Sequence, residues 1–298
     1  MVTKRADKII GQDAIVKKGW LQAHKWLLLR RFSQLSILFL FLLGPLFGIW
    51  IIKGNMSSSL TLDTIPLTDP FVFLQTLFTG YIPELTVVTG AAIVALFYFI
   101  VGGRVYCAWV CPINIVTDVA DWLRRVLKIK TSLSFSRMGR YGLLMVSLLL
   151  ASVTGMLVWE LVNPVTMIQR ELVFGMGLSW LFIVGIFILD AFVSRRAWCS
   201  HLCPMGAFYS GLGQFSLIKV NALNREACND CMDCFAVCPE PQVIKPALKG
   251  DADSSPIINS GNCTNCGRCI DVCAEDVFTI KHRFVKSNLL TSQHEVHL

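Results

Sequence analysis

Two cysteine runs near the end of the chain restrict its fold more than any other feature. The first reads Cys228-x-x-Cys231-x-x-Cys234-x-x-x-Cys238-Pro239, and the second Cys263-x-x-Cys266-x-x-Cys269-x-x-x-Cys273. Three thiolates this close wrap three corners of an iron–sulfur cube, and the fourth lies too far along to close the same cube. The spacing predicts two [4Fe–4S] clusters, with the last cysteine of each run crossing to the other. Cluster one takes Cys228, Cys231, Cys234 and Cys273. Cluster two takes Cys263, Cys266, Cys269 and Cys238. Zinc sites also use C-x-x-C pairs, but two runs of four with Pro239 after the first fit the cluster pattern better.

Composition shows where the rest of the chain goes. The 298 residues are 54% hydrophobic and 16% charged, against about 25% charged in ordinary soluble domains. The apolar residues gather in stretches at roughly 32–52, 85–101, 141–159 and 172–193, each near the ~20 residues that cross a bilayer as helix. Gly44-Pro45 predicts a bend in the first, tolerated where neighbours satisfy the freed carbonyl. A polar, basic segment precedes it, with no short apolar region and cleavage site, so the first stretch reads as a retained anchor.

Lys and Arg alternate between the connections. Lys4, Arg5, Lys8, Lys17, Lys18, Lys25, Arg30 and Arg31 precede the first stretch, and only Lys53 follows it. Arg104, Arg124, Arg125, Lys128, Lys130, Arg137 and Arg140 precede the third. Only Arg170 precedes the fourth, and Arg195 and Arg196 follow it. The positive-inside rule puts both termini in the cytoplasm. The net charge of +7 then reflects topology and anionic lipid, and no basic and aromatic interleaving points to nucleic acid. All 12 cysteines fall on the inner side, away from loops where structural disulfides form.

The expected fold is a membrane α-helical bundle of four transmembrane helices with a C-terminal bacterial-type two-[4Fe–4S] ferredoxin domain of the α+β class. Residues 1–31 form a basic cytoplasmic arm, 32–218 the membrane domain, 219–282 the ferredoxin domain and 283–298 a polar tail. In the outward connection, 53–84, the apolar segment 70–78 either lies in the interface or packs as a lid on the bundle.

The membrane domain repeats itself. Arg104-Val-Tyr-Cys107-Ala-Trp-Val-Cys111-Pro112 follows the second stretch, and Arg196-Ala-Trp-Cys199-Ser-His-Leu-Cys203-Pro204 follows the fourth. Each has Arg three residues before C-x-x-x-C-P and an aromatic just before the first cysteine. In a helix, cysteines four apart share a face. Brought together, Cys107, Cys111, Cys199 and Cys203 offer four thiolates, enough for a further Fe–S centre. They serve equally as dithiol pairs, with Arg lowering a thiol pKa, and packing elements are the third reading. His201 is a hydrogen-bonding surface group or a ligand.

Beyond these motifs the chain resembles the NapH family, the ferredoxin-type membrane component of a quinol dehydrogenase in periplasmic nitrate reductase systems. The resemblance runs through Lys18-Gly-Trp20, Gly54-Asn-Met-Ser-Ser-Ser59, Pro66-Leu-Thr-Asp-Pro70, Trp122-Leu-Arg-Arg125, Trp159-Glu160 with Asn163-Pro164, Val237-Cys-Pro-Glu-Pro241 and Glu275-Asp-Val-Phe-Thr-Ile280. The cysteine motifs alone fit a wider group of membrane polyferredoxins that includes NosR-like regulators. The resemblance implies a bacterial inner-membrane subunit that oxidises menaquinol or ubiquinol. It implies partners as well: a NapG-like periplasmic ferredoxin-type subunit, periplasmic nitrate reductase with its cytochrome subunit, and the quinone pool. One local departure is Ala274 where proline follows the first run's last cysteine. The competing expectation is a non-catalytic scaffold, redox sensor or maturation factor.

A quinol site needs an apolar setting with a polar group to accept protons, and ionisable residues in the membrane are its candidates. Glu160 and Asn163, at the outward end of the third stretch, fit best, with Trp159 beside Glu160 suggesting an interfacial anchor instead. Asp190 comes next, then Gln34 and Gln75. Few intramembrane charges and no broken-helix pair argue against a transporter. Gly102-Gly103 is not a dinucleotide-binding loop.

Overall fold

The computed structural model of the chain describes residues 9–129, 133, 135–175, 177–250 and 254–284. In order these form α1 (Gln12–Lys18), α2 (Trp20–Ala23), α3 (Lys25–Phe47), β1 (Ile52–Gly54), β2 (Ser58–Thr61), β3 (Ile65–Thr68), α4 (Pro70–Phe78), α5 (Leu85–Val101), α6 (Val105–Trp109) and α7 (Ile113–Val126). There follow α8 (Gly139–Thr154), α9 (Val158–Val162), α10 (Pro164–Phe174), α11 (Ser179–Ile188), α12 (Pro204–Gln214), β4 (Ile218–Asn221), α13 (Asp233–Val237), α14 (Ile244–Lys249), α15 (Arg268–Val272) and β5 (Thr279–His282). Short π turns occupy Leu189–Val193 and Trp198–Leu202. Most of the polar tail expected at 283–298 lies outside the described residues.

The bundle helices are α3, α5, α8 and α11. At one end sits the cysteine-rich module, with β4 and β5 paired antiparallel and α13, α14 and α15 around Val220, Ile244, Leu248, Ile258, Val277 and Phe278. At the other end lie the antiparallel meander β1-β2-β3, α4, α9 and α10. The chain runs from the module end to the far end in α3 and α8, and returns in α5 and α11. Accordingly the end of α5 meets the module, where Asn265 Nδ2 donates to Val101 O at 3.0 Å, while Gly90 near its start lies against Pro66 and Thr68.

Among the described residues, α3 alone is both long and apolar enough to cross a membrane by itself. Of the next two apolar helices, α5 covers its expected stretch, 85–101, with 17 residues, while α8, with 16, stops short of the end of its own. At ~1.5 Å per residue each rises about 25 Å, against about 30 Å of hydrocarbon. Glycines cut the other stretches. Gly155 ends α8, and the stretch expected at 172–193 is divided between the end of α10 and α11. Pro45 lies inside α3, which ends two residues on.

The connection at 53–84 is ordered. Asp69 caps α4, its carboxylate accepting from the backbone N–H groups of Phe71 and Val72, with Pro70 at the first helical position. Such a cap satisfies donors a helix start leaves orphaned. Pro70, Phe71, Val72 and Gln75 are buried, so α4 is a packed lid between α5 and α8.

The described part of the N-terminal arm, from residue 9 on, lies along the module. Gly11 N–H donates to Asp233 and the backbone N–H groups of Trp26 and Leu27 donate to the Asp271 carboxylate. Lys17 pairs with Glu275, and Lys18 with Asp276. Two carboxylates bind the module to the bundle. Glu240, 1% exposed, receives Arg104 Nη1 at 2.7 Å and Arg140 Nη1 at 2.9 Å. Asp118 is the common partner of Arg31, Arg196 and Arg268. Burial works to raise the Glu240 pKa, but Arg104 and Arg140 outweigh it and hold the carboxyl below the usual glutamate range.

Candidate iron–sulfur centre

The two cysteine loops have the same backbone shape. Left-handed φ occurs at Asp230 and Asn265, one residue before the second cysteine of each run, and at Met232 and Gly267, one residue after it. Such left-handed residues turn successive amide N–H groups toward a shared concavity, which suits an anionic group. The loops enclose separate cavities. Cys228, Cys231, Cys234 and Cys273 line the first, with Phe235 and Val277. Cys238, Cys263, Cys266 and Cys269 line the second, with Arg268 and Val220. The last cysteine of each run therefore faces the cavity of the other run.

Among the described residues no three His, Cys, Asp or Glu side chains converge on a point that would hold a single metal ion. The thiols instead surround spaces, as a polynuclear cube requires. The second cavity is the more cationic. Burial works to raise the Cys266 pKa, but Arg268 and Arg30 outweigh it and hold the thiol below its ordinary value. The first is nearer the surface, with Met232 50% exposed beside it.

The C-x-x-x-C-P repeats lie between the module and the far end, and their backbones match. Cys111 N–H donates to Tyr106 O at 3.0 Å, and Cys203 N–H to Trp198 O at 2.9 Å. Both bonds span five residues, the π spacing frequent at functional sites, and both stand just before the proline. The arginines cross between repeats. Arg104 Nη2 donates to Cys199 O at 3.1 Å, and Arg196 Nη1 to Thr117 Oγ1 at 3.2 Å. Cys107, Cys111 and Cys203 pack against the cluster of Phe71, Tyr106, Trp159 and Tyr209. Cys111 and Cys199 pack against that of Val165, Ile168, Ile183 and Ile186. The four thiols are thus brought into one region, with Cys111 shared by both clusters.

Comparison with known proteins places this arrangement. A family model described as a 4Fe-4S binding domain matches twice, at residues 84–130 and 176–222, and one described as a 4Fe-4S dicluster domain matches residues 227–277. The "Ferredoxin-type protein NapH" of Haemophilus influenzae is 50% identical over 280 residues, 94% of this chain and 97% of that protein. That of Escherichia coli is 48% identical over 275 residues, 92% and 95% of the two chains. The "Methylamine utilization ferredoxin-type protein MauN" of Paracoccus denitrificans is 52% identical over 250 residues, 84% and 88% of the two. The chain belongs to the NapH and MauN family of ferredoxin-type proteins. No solved structure matches it. The resemblance to NapH read from the sequence holds over nearly the whole chain, and the family's 4Fe–4S domains are present. Each of the paired matches contains one bundle helix and one C-x-x-x-C-P motif, so the family pattern coincides with the repeat.

Of the quinol candidates, Glu160, Asn163, Asp190 and Gln34 hydrogen-bond within the fold. Glu160 Oε1 accepts from Ser57 Oγ at 2.8 Å and from Asn163 Nδ2 at 2.9 Å. Asn163 Oδ1 caps α10 by accepting from Val165 N–H. Trp159 is 2% exposed, so it is a core residue and not an interfacial anchor. Asp190 Oδ1 accepts from Trp198 N–H at 3.0 Å, joining the two π turns. Gln34 Nε2 donates to Ala108 O at 2.9 Å and Cys111 O at 3.2 Å, holding the first motif. His201 lies beside Phe135, with ring centroids 6.2 Å apart. Gln75 is fully buried with neither amide atom bonded.

Sequence reasoning missed Asp69, which the fold carries inward from the far end to Tyr209, and the Arg104–Glu240 and Asp118 pairs, which join residues far apart in the chain. The Arg that opens each repeat was the visible signal for those pairs.

Proposed function

We propose that this chain is the membrane electron-transfer subunit of a quinol dehydrogenase. It oxidises menaquinol or ubiquinol and passes electrons, with a NapG-like ferredoxin-type partner, towards periplasmic nitrate reductase and its cytochrome subunit. The observation that carries this is the layering: two four-cysteine cavities in the module, then four further cysteines in the bundle beneath them.

In this reading Cys228, Cys231, Cys234 and Cys273 hold one [4Fe–4S] cluster, and Cys263, Cys266, Cys269 and Cys238 hold the other. These clusters supply one-electron redox chemistry. The crossed lining of the cavities supports that assignment. Cys107, Cys111, Cys199 and Cys203 form a further redox site, as cluster ligands or dithiols. Four bundle helices cross the inner membrane, with residues 1–31 and the module from 219 to 282 in the cytoplasm. The wealth of Lys and Arg at the module end supports that orientation.

The motif cysteines bear on how electrons cross. Arg104 links them to the module on one side, donating to both Asn262 O and Cys199 O, and Cys107, Cys111 and Cys203 pack against Phe71 and Trp159 of the far-end layer on the other. A carrier there divides a span of about 30 Å into shorter steps.

The near-equal identity to MauN favours a second reading, in which the same quinol chemistry serves methylamine utilisation. The test is anaerobic addition of menaquinol or ubiquinol to the purified chain in lipid, with Fe–S reduction followed by EPR. Reduction by quinol is expected. Clusters that respond to dithionite but not to quinol would make the chain a scaffold.

A further inference from the structure

Resting on the quinol reading, we propose that Asp69, bonded to Tyr209, is the proton acceptor for a hydroquinone bound among Tyr106, Trp159, Phe71 and Gln75, on the far side of the motif cysteines. Asp69 is 5% exposed and Tyr209 fully buried, and the Tyr209 hydroxyl donates to Asp69 Oδ2 at 2.7 Å. Asp69 Oδ1 holds the start of α4 at 2.8 Å from Phe71 N–H. The carboxylate therefore has one oxygen committed to the fold and one to a tyrosine.

Both C-x-x-x-C-P motifs lead to this pair. Tyr106 directly precedes Cys107, and Tyr209 stands on the helix that starts after Cys203. The two rings stack with centroids 5.0 Å apart at 13°, and Tyr98 packs edge-on against Tyr209 at 5.2 Å. Phe71 lies 6.0 Å from Trp159 and 5.6 Å from Phe208. A flat aromatic ligand suits such walls. Half-buried Leu74, Val94, Leu144 and Leu157 rim the cluster, giving an apolar approach from the bundle's flank.

Unmet hydrogen bonding supplies an independent pointer. The Tyr106 hydroxyl, the Trp159 indole N–H and both amide atoms of Gln75 are buried without a partner among the described residues. Gln75 lies one turn beyond Phe71 on the same face of α4. Buried polar groups are normally satisfied, and several orphans on one apolar cluster mark a place where a ligand with two hydroxyls would satisfy them. Glu160 and Asn163 bond to each other and to Ser57 instead.

The step balances simply. A hydroquinone O–H bond breaks and its proton passes to Asp69, with Tyr209 in the path. Asp69 passes this first proton to water at the far end before the second O–H breaks, so the ring is oxidised to quinone by two successive losses, and the electrons leave singly towards the iron–sulfur side that the proposed function supplies. Tyr98, Tyr106, Tyr209, Glu160 and Cys107 are the ionisable groups that act on Asp69 or feel it. Burial pushes the Asp69 carboxyl up to about 6, with the bonds from Tyr209 and the α4 amides opposing it. A base near the working pH is what proton abstraction needs.

The test uses the full chain in lipid with its clusters, in wild type, Asp69→Asn and Tyr209→Phe. Asn still caps a helix, and Tyr209→Phe leaves that cap untouched. Both variants should give the wild-type signal with dithionite. Quinol-driven reduction should slow about 100-fold in Asp69→Asn, the scale of a lost general base. The wild-type rate should rise with pH through about 6, and that rise should vanish in Asp69→Asn. A second readout needs no turnover: quinone bound to fully reduced protein should perturb a carboxylic-acid infrared band that is absent in Asp69→Asn. Wild-type rates, pH dependence and infrared band in Asp69→Asn would overturn the proposal while leaving the quinol reading in place. A wild type that quinol does not reduce would overturn both.

Discussion

Trp109, between the cysteines of the first C-x-x-x-C-P motif, donates its indole N–H to the carbonyl of Asn265 at 3.2 Å. Asn265 lies between Cys263 and Cys266. A short covalent and hydrogen-bonded path therefore joins the bundle cysteines to the loop of the second cavity. Trp109→Phe keeps a ring but loses that bond. Quinol-driven reduction should slow in stopped-flow EPR, while dithionite still reduces the clusters fully. The stability loss should be about 1 kcal/mol, the net worth of one hydrogen bond.

Asn265 has a second task. Its side-chain amide donates to Val101 O at 3.0 Å and to Ile218 O at 2.9 Å, tying the end of α5 to β4 beneath the cysteine loop. Asn265→Ala orphans both carbonyls and leaves alanine at φ 45. A loss of about 1–3 kcal/mol is expected from the unmet groups, and the EPR signal of the cluster held by Cys263 should broaden before the other's.

Crossed ligation has its own signature. Cys273→Ser should remove the same EPR signal as Cys228→Ser, and Cys238→Ser the same signal as Cys263→Ser. Pairing within a run would give the opposite grouping. In so small a module ligation carries much of the folding energy, so each variant should also lower its melting temperature.

Glu240 makes docking of the module sensitive to acid. Its folded pKa lies below the ordinary value, so its stabilising contribution is complete above the unfolded pKa of about 4.3 and is lost as pH falls through the folded value. Melting temperature should therefore drop between about pH 5 and 3. Glu240→Gln leaves Arg104 and Arg140 without their buried counter-charge. It should cost about 3–5 kcal/mol, the price of one charge removed from a buried pair, and should flatten that pH dependence.

Gly103 packs directly against the backbone of α12. A Cβ there would lie 1.9 Å from Tyr209 O and 2.5 Å from Gly213 N. Gly103→Ala should prevent α12 from seating, with little folded protein recovered from the membrane fraction.

Much of this was legible because ligand spacing is local. The cysteine runs, the repeat at Cys107 and Cys199, and the family resemblance all depend on residues close in sequence. Helix extents were less legible, since a run such as 172–193 is apolar on both sides of a break and only backbone geometry at Gly175 and Gly177 reveals it. Asp69 entered the sequence reading only within the segment Pro66-Leu-Thr-Asp-Pro70. Its meeting with Tyr209, 140 positions away, follows from how α4 and α12 pack, which no local pattern encodes. Glu160 and Asn163 drew attention as polar residues at the end of an apolar stretch, while their bonds to each other and to Ser57 depend on packing that no local pattern encodes.

The measurement that tests the central claim most directly is reduction of the module's clusters by quinol in Cys107→Ser and Cys203→Ser, with dithionite as the parallel donor. The bundle cysteines stand between the far-end layer and the module, so quinol reduction should be lost in both variants while dithionite gives the wild-type spectrum. Wild-type quinol reduction in either variant would contradict an electron path through these cysteines.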